Sequence, residues 1–220
     1  YDSSEGDIYI LKKNIQRKEG LKLTSDYNEI MEAHNENYKV VQKYIRDLYL
    51  INGYKVNLRI YLLTIIKDNH IYFYLSTIGK CIYTKKKYND NDFDFESNIT
   101  SYHLDMEIYN NNPRNFTELI DYINNDGYNG KYLFYQIEIL MAKISYCLSK
   151  NFYQSKNILG SVSFQLFGCD VIFDDKINPY LLEVNKGPDM TPRDEIDENM
   201  KNSVQKDMFK LSGILENKEN

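Results

Sequence analysis

The chain has 220 residues, and its hydrophobic fraction of 42% and charged fraction of 27% are those of a globular protein rather than a disordered one. The net charge of −5 argues against general nucleic-acid binding, which needs a basic footprint, and the longest apolar run, at 60–66, is too short to span a bilayer. Three widely separated cysteines, Cys81, Cys147 and Cys169, indicate reduced core thiols and a cytoplasmic type of compartment.

The first half of the chain predicts mainly strands. In chain order we expect strands at 8–12 and 21–23 around a polar stretch at 13–20, a short helix at 27–33, a strand at 40–44, a connection at 47–53, a long strand at 54–66, and strands at 71–75 and 81–84 joined through Gly79. Two exposed polar loops follow, at 89–97 and 110–113.

The second half predicts helices followed by a pair of strands. We expect helices at 116–123 and 133–148, strands at 163–173 and 179–184, and a polar helix at 199–215. Strands are grouped and helices are interposed irregularly, which favours an α+β architecture over regular βαβ alternation. The connection at 47–53 is the natural boundary between two lobes.

The segment 163–188 is the most informative. Asp174, Asp175, Asn178 and Pro179 are turn formers between two apolar runs, so this segment predicts a β-hairpin. Centring the turn on 176–177 places three pairs opposite each other: Phe173 with Tyr180, Val171 with Leu182, and Asp170 with Glu183. One face is then an apolar core face, made of Phe167, Cys169, Val171, Phe173, Tyr180, Leu182 and Val184.

The opposite face of this hairpin predicts a metal site. It carries Gly168, Asp170, Ile172, Leu181, Glu183 and Asn185. Two carboxylates opposite each other repel, and a divalent cation between them removes the repulsion. Asp170, Glu183 and Asn185 offer the hard oxygen ligands that Mg²⁺ prefers. The alternative is that Asp170 and Glu183 are solvated residues on the outer face of an ordinary hairpin.

Three further segments have features that a nucleotide site needs. Lys12 precedes a basic loop that contains Gln16 and Arg17 and is closed by Gly20, so the loop is either a cover for phosphates or a surface hairpin tip. Gln42 and the backbone at 43–45 offer polar groups for adenine, although the same segment also fits a plain core strand. Strand alternation places Lys55, Asn57 and Arg59 on one face, where they either line a surface or face an anion.

These segments, in this order, resemble the tubulin–tyrosine ligase family of the ATP-grasp fold. The similar stretches run from residue 9 to residue 188: YILKKNIQRKEGLKL, VVQKYI, GYKVNLRIYLL, the segment 79–88, NITS, and SFQLFGCDVIFDDKINPYLLEVNKGP. The resemblance implies two lobes with mainly antiparallel sheets that clasp the nucleotide. Residues 1–46 would form part of the small lobe and 47–215 the large lobe, and we expect the family's N-terminal domain to be missing.

The resemblance also implies roles for individual residues in binding ATP and Mg²⁺. Lys12 would contact the α- and β-phosphates, and Arg59 the γ-phosphate, and these two would be the catalytic cations. The other implied contacts are Gln16, Arg17 and Gly20 in the loop over the phosphates, Gln42, Lys43, Tyr44 and Ile45 around adenine, Lys55 and Asn57 near the ribose and phosphates, Thr100 and Ser101 lining the site, and Asp170, Glu183 and Asn185 on magnesium.

The activity implied by the resemblance is ATP-dependent ligation of an amino acid to a protein acceptor, such as tubulin, through an acyl phosphate. Its location would be cytoplasmic or cytoskeleton-associated. The chain departs from the family pattern at Asn57, where the family has aspartate, and at Ile82, where it has arginine; Lys80 and Lys85 are nearby substitutes for that cation. A nucleotide-binding pseudoenzyme or scaffold with a degenerate site is therefore the alternative, as is the same chemistry on an acceptor other than tubulin.

Overall fold

The computed structural model describes residues 6–15, 20–89, 91, 93–100, 106–152 and 162–215, and these form the predicted α+β fold with antiparallel sheets. The elements, in chain order, are β1 Tyr9–Lys13, β2 Leu21–Thr24, α1 Tyr27–Glu32, β3 Tyr38–Lys43, β4 Leu50–Ile51, β5 Tyr54–Lys67, β6 His70–Tyr83, α2 Phe95–Asn98, a 3-10 helix at Met106–Asn110, α3 Phe116–Asn125, α4 Gly130–Phe152, β7 Val162–Phe173, β8 Pro179–Lys186 and α5 Glu195–Leu211.

The larger sheet has five strands and is organised around β5. This strand pairs with β6 along one edge and with β7 along the other, and β8 continues the sheet beyond β7. The short β4 pairs with the beginning of β5. Every residue of β5 from Lys55 to Ile65 is buried, so other elements cover both faces of the sheet along this length.

Different helices cover the two faces of the larger sheet. On one face, α3 and α4 bury alternate residues of β5, β6 and β7 in the main core, which includes Val56, Leu58, Ile60, Leu119, Leu133, Ile137, Cys169, Val171 and Phe173. Each large apolar side chain buried in this way contributes about 1.5–3 kcal/mol. On the other face, α5 packs through Val204 on Tyr61, Leu63 and Ile65. The polar residues of β5, from Lys55 to Arg59, lie at the other end of that face.

The smaller sheet contains β2, β1 and β3 in that order. Its apolar side chains, among them Ile10 and Leu23, pack with Tyr44, which follows β3, and with Tyr88 and Ile99 from the segment after β6. Through this contact the smaller sheet packs against the segment that follows β6 of the larger sheet. The division of the chain at residues 46 and 47 stays a prediction.

Several predicted strands and loops need correction. The strands predicted at 71–75 and 81–84 are one strand, β6, with an irregular pairing opposite residues 60–62. Gly79 is not a connection but a close contact with β5, because a Cβ there would lie 2.9 Å from the Arg59 carbonyl oxygen. The loop predicted at 89–97 includes the start of α2, which Asp94 caps by accepting a hydrogen bond from the Glu96 N–H.

The helix bounds and one cysteine also differ from prediction. α4 extends beyond 133–148 at both ends, and α5 begins at Glu195 rather than at 199 because Asp194 caps it. Cys81 and Cys169 are buried free thiols as predicted, whereas Cys147 is exposed on α4 and is not a core residue. Among the described residues, no helix has the length and apolar character needed to cross a membrane.

The predicted hairpin register is right near its carboxylates and wrong near its turn. Asp170 pairs with Glu183 and Gly168 with Asn185, but an irregularity after Asp170 makes Val171 the partner of Leu181 instead of Leu182. Leu181 therefore packs against the main core. Tyr180, which we predicted on the core face, is 43% exposed and hydrogen-bonded to Asp174.

Candidate functional site

Four charged side chains form a row across the larger sheet at one level of the ladder. Arg59 is the register partner of both Lys80 on β6 and Asp170 on β7, and Asp170 is the partner of Glu183 on β8. Register partners in an antiparallel ladder share a face, so all four project from the face that α5 partly covers. We call Lys80, Arg59, Asp170 and Glu183 the charge row.

A buried bidentate ion pair lies at the centre of the charge row. The Arg59 Nε and Nη2 groups donate to the two oxygens of Asp170, the second of them at 2.8 Å. The two side chains are only 8% and 9% exposed. Burial raises the pKa of Asp170, the hydrogen bonds from Arg59 oppose that rise, and the carboxylate of Glu183 adds to it.

The three residues predicted to bind magnesium are the two carboxylates of the charge row and Asn185, which lies two residues after Glu183 on β8. Glu183 is exposed, and the Asn185 Nδ2 group donates to its Oε1 atom at 2.8 Å. Gly168, the partner of Asn185, is required here, since a Cβ would lie 2.9 Å from Pro188 Cβ and 3.0 Å from Arg59 Cδ. Over the described parts of the chain, no three His, Cys, Asp or Glu side chains come together as a metal-binding group. The predicted set has two carboxylates and one amide.

Lys55 is a buried cation held by neutral oxygens. Its Nζ atom donates to Tyr44 Oη at 2.9 Å and to the Asn98 carbonyl oxygen at 2.8 Å, and lies 4.4 Å from the centroid of the Tyr44 ring. Burial, together with a smaller effect of the charge of Lys12, lowers the pKa of Lys55 to about 7. A polyanion bound here would stabilise the charged form of Lys55.

The lowered pKa of Lys55 predicts a pH dependence of stability. Its ordinary pKa is 10.5, so above about pH 7 the unfolded chain holds a proton that the folded protein has released. The free energy of unfolding therefore rises with pH in this range, by at most about 1.4 kcal/mol per pH unit for one group. Urea unfolding between about pH 7 and pH 8, below the ordinary pKa values of cysteine and tyrosine, should show a steeper rise in the wild type than in Lys55→Met. The prediction would be contradicted if the free energy of unfolding changed with pH in the same way in the wild type and in Lys55→Met.

Asn57 lies between Lys55 and Arg59 and faces Ile82 across the ladder. The Asn57 Nδ2 group donates to Thr100 Oγ1 at 2.9 Å, while Asn57 Oδ1 is buried with no hydrogen-bond partner among the described residues. Ile82 is 3% exposed. Asn57 and Ile82, the two positions where the resemblance implies a departure, are therefore direct neighbours and form a neutral pair.

Lys80 and Lys85, the two cations that the sequence suggested as substitutes for one at position 82, are both paired with carboxylates elsewhere. Lys80 is paired with Asp197 at 2.7 Å, and Lys85, which is largely on the surface, lies 3.7 Å from Glu96. Arg59 and Lys55 are consequently the cations that the larger sheet presents beside Asn57.

The remaining predicted site residues belong to the smaller sheet and its surroundings. Lys12 lies on β1 close enough to Lys55 to affect its pKa, and Gly20 is buried directly before β2. Gln42 and Lys43 end β3, with the Lys43 Nζ atom bound to Asp7 at 2.7 Å, and half-buried Ile45 follows buried Tyr44. Three predicted residues lie outside the described residues: Gln16, Arg17 and Ser101.

Sequence analysis missed a buried ion cluster on α5. Asp197 is fully buried and accepts hydrogen bonds from Lys80 Nζ at 2.7 Å and from the Arg193 N–H at 3.0 Å, and it pairs with Lys201 Nζ at 2.9 Å. The spacing of Asp197 and Lys201, four residues apart, was the one visible signal, but such pairs usually lie on solvated helix faces.

Comparison with known proteins finds similarity to one family over the whole chain. A model of the tubulin-tyrosine ligase family matches residues 1–220. The chain is 24% identical over 229 residues to tubulin polyglutamylase ttll-5 of Caenorhabditis elegans, covering 95% of this chain and 31% of that protein. It is 24% identical to human tubulin polyglutamylase TTLL6, covering 96% and 25%, and 26% identical to tubulin glycylase 3B of Drosophila melanogaster, covering 93% and 29%.

The chain thus spans less than a third of the length of these relatives. The match to the family itself extends over all of this chain and includes the strands that carry the charge row. The chain belongs to the tubulin-tyrosine ligase family.

Proposed function

We propose that this chain is the nucleotide-binding and catalytic part of an ATP-dependent ligase that joins an amino acid to a protein acceptor, with tubulin as the candidate acceptor. The observation that carries the proposal is the charge row. A buried arginine lies beside two carboxylates on adjacent strands, with a second buried cation, Lys55, further along the same face. Mg-ATP, which combines a cation and a polyanion, matches this arrangement of charges. The names of the relatives, polyglutamylases and a glycylase, agree with it.

The donor atoms on this face fit magnesium. Asp170, Glu183 and Asn185 bear hard oxygens on two neighbouring strands, and Asn185 needs only a rotation of its amide to present its oxygen. When bound, magnesium would neutralise charge on the phosphates. Arg59 would hold the γ-phosphate, Lys12 and Lys55 the other phosphates with the loop that contains Gln16, Arg17 and Gly20, and Gln42, Lys43, Tyr44 and Ile45 would surround adenine. Asn57, Thr100 and Ser101 would line the remaining wall.

The proposed reaction has two steps, which these roles would support. A carboxylate of one substrate attacks the γ-phosphorus of ATP, the bond to the β-phosphate oxygen breaks, and ADP leaves an acyl phosphate behind. An amino group then attacks the acyl carbon, phosphate leaves with the bonding electrons, and an amide remains after loss of a proton. The chain's contribution is positioning and stabilisation of charge, and no covalent enzyme nucleophile takes part. We further propose that the two sheets belong to two lobes that clasp the nucleotide, and that the protein acts in the cytoplasm on the cytoskeleton.

Calorimetric titration with Mg-ATP, followed by an assay of ADP release, tests this proposal. We expect nucleotide binding that requires magnesium, ADP release that requires both an amino acid and an acceptor, and acceptor masses that increase by one residue at a time. The variant Glu183→Gln tests the proposed metal ligand. Because Glu183 is exposed, we expect the variant to fold and its magnesium-dependent nucleotide binding to weaken by about 10-fold or more. Absence of nucleotide binding by the wild type would reject the proposal.

A second candidate is a nucleotide-binding pseudoenzyme. The observation that favours it is the neutral pair of Asn57 and Ile82, which removes a cation from the face beside Arg59. Binding of Mg-ATP without ADP release in the presence of acceptor and amino acids would select this candidate over the ligase.

A further inference from the structure

We propose that Asp197 is a positioning residue: by pairing with Lys80 it keeps that lysine away from Asp170, and so preserves the Arg59–Asp170 pair. The effect on magnesium and nucleotide rests on the proposed function, whereas the effect on the ion pair does not.

The order of charges in the row places like charges next to each other on adjacent strands. Lys80 and Arg59 are adjacent cations, and Asp170 and Glu183 are adjacent carboxylates. Like charges on register partners destabilise a ladder. Asp170 is the nearest carboxylate within the row for either cation. Lys80 and Asp170 are two strands apart, about 10 Å between backbones, a gap that the two extended side chains together can span.

Asp197 provides a carboxylate for Lys80 at the positive end of the row. Its side chain is 0% exposed and that of Lys80 is 10% exposed, and the two meet at 2.7 Å. Burial disfavours the charged form of Asp197, but hydrogen bonds from Lys80 and Lys201 outweigh burial and lower its pKa. Burial also lowers the pKa of Lys80, against the effect of Asp197. Without a charged Asp197, the ammonium group of Lys80 would lack its carboxylate in a buried position and would turn to Asp170 or lose its proton.

Asp197 and the centre of the row share one buried environment. The hydroxyl of Tyr61 lies close enough to Arg59, Asp170 and Asp197 for each charge to act on its ionisation, and burial raises the pKa of Tyr61 to about 12. Asp197, Arg59 and Asp170 therefore act on one buried hydroxyl, which places Asp197 in the same part of the structure as the ion pair.

The two ends of the row differ in a way that fits this role. The positive end is closed by a buried side chain of the protein itself, Asp197. The negative end is exposed Glu183, which receives a hydrogen bond from the amide of Asn185. The fold thus pairs Lys80 with an internal carboxylate and keeps Asp170 and Glu183 at the end where the metal is proposed to bind.

α5 has a second anchor that does not involve the charge of Asp197. Asp194 caps the helix by accepting a hydrogen bond from the Asp197 N–H at 2.9 Å, and it is paired with Arg114. Asp197→Asn keeps the size of the side chain and leaves this anchor in place. The variant therefore removes the charge without detaching the helix.

The test uses Asp197→Asn alone and combined with either Lys80→Met or Lys201→Met. In the ligand-free protein, the Arg59 Nε–H resonance, assigned by its loss in Arg59→Lys, reports the bond to Asp170. We expect this resonance to shift or broaden in Asp197→Asn and to recover in Lys80→Met/Asp197→Asn. We expect no recovery in Lys201→Met/Asp197→Asn, because Lys201 is not part of the row. Mg-ATP affinity should follow the same order, with a loss of about 10-fold that the Lys80 double variant restores, a size typical of coupled charged neighbours.

Three results would overturn the positioning role: an unchanged Arg59 resonance in Asp197→Asn, recovery by the Lys201 double variant to the same degree, or no recovery by the Lys80 double variant. A role limited to anchoring α5 would lower the melting temperature without moving the Arg59 resonance. If the resonances behave as expected but the wild type does not bind Mg-ATP, the proposed function fails and the positioning role of Asp197 stands.

Discussion

Replacing Arg59 by methionine is expected to destabilise the protein and to remove most of its ADP release. Asp170 would remain buried, at 9% exposure, without its bidentate partner. Breaking a buried pair by removing one member costs about 3–5 kcal/mol. Losing a cation from a transferring phosphoryl group costs about 10²–10³-fold in rate. Urea unfolding and the initial rate of ADP release measure the two effects separately.

The double variant Arg59→Met/Asp170→Asn separates the structural effect from the chemical one. It removes both charges, and neutral replacement of a buried pair is often tolerated. We expect stability to recover toward the wild-type value while ADP release stays lost. Equal instability of the single and double variants would show that packing by Arg59, not its charge, supports the fold.

The site depends most on a feature that the sequence does predict, the pairing of Asp170 with Glu183. Turn-forming residues at 174–179 fix where the strands reverse, and alternation then places both carboxylates on one face. The prediction fails between the turn and Asp170 because Tyr180, Leu181 and Leu182 are all apolar in character. Three such residues in a row carry no period of two, so nothing in the sequence marks the residue that the bulge inserts.

Other features escape prediction because they arise from contacts between distant segments. Lys80 and Asp197 are 117 residues apart, and the residues around each of them give no sequence signal for their pairing. Gly79 looks like a turn residue from its type alone, whereas its small size serves the close approach of β6 to β5. The early start of α5 was hidden because its first turn, with Glu195, Asp197 and Glu198, is acidic and polar enough to suggest a loop.

Asn57 and Ile82 show what the structure adds to a sequence resemblance. In the sequence they lie 25 residues apart, and each suggests a separate loss of function relative to the pattern that the resemblance implies. In the ladder they are register partners. The acid and the base that the resemblance implies at these two positions would face each other and contribute no net charge, so the neutral pair would leave the net charge of the sheet unchanged.

The double variant Asn57→Asp/Ile82→Arg is therefore expected to fold and to raise ADP release. Ile82→Arg alone would bury a third cation beside Lys55 and Arg59 and should lower the melting temperature, because Ile82 is 3% exposed. Asp at 57 gives the new arginine a partner directly opposite. An added cation beside the γ-phosphate position is worth about 10²-fold or more in rate, and we expect neither single variant to reach that gain.

Thermal unfolding and ADP release in the presence of acceptor and amino acid measure both parts of this expectation. Asn57→Gln/Ile82→Met is the matched control, since it changes the same positions without adding charge. If the charged double variant folds, binds Mg-ATP and still releases no more ADP than this control, these two positions do not limit the reaction. The neutral pair would then be a change that the ligase chemistry tolerates.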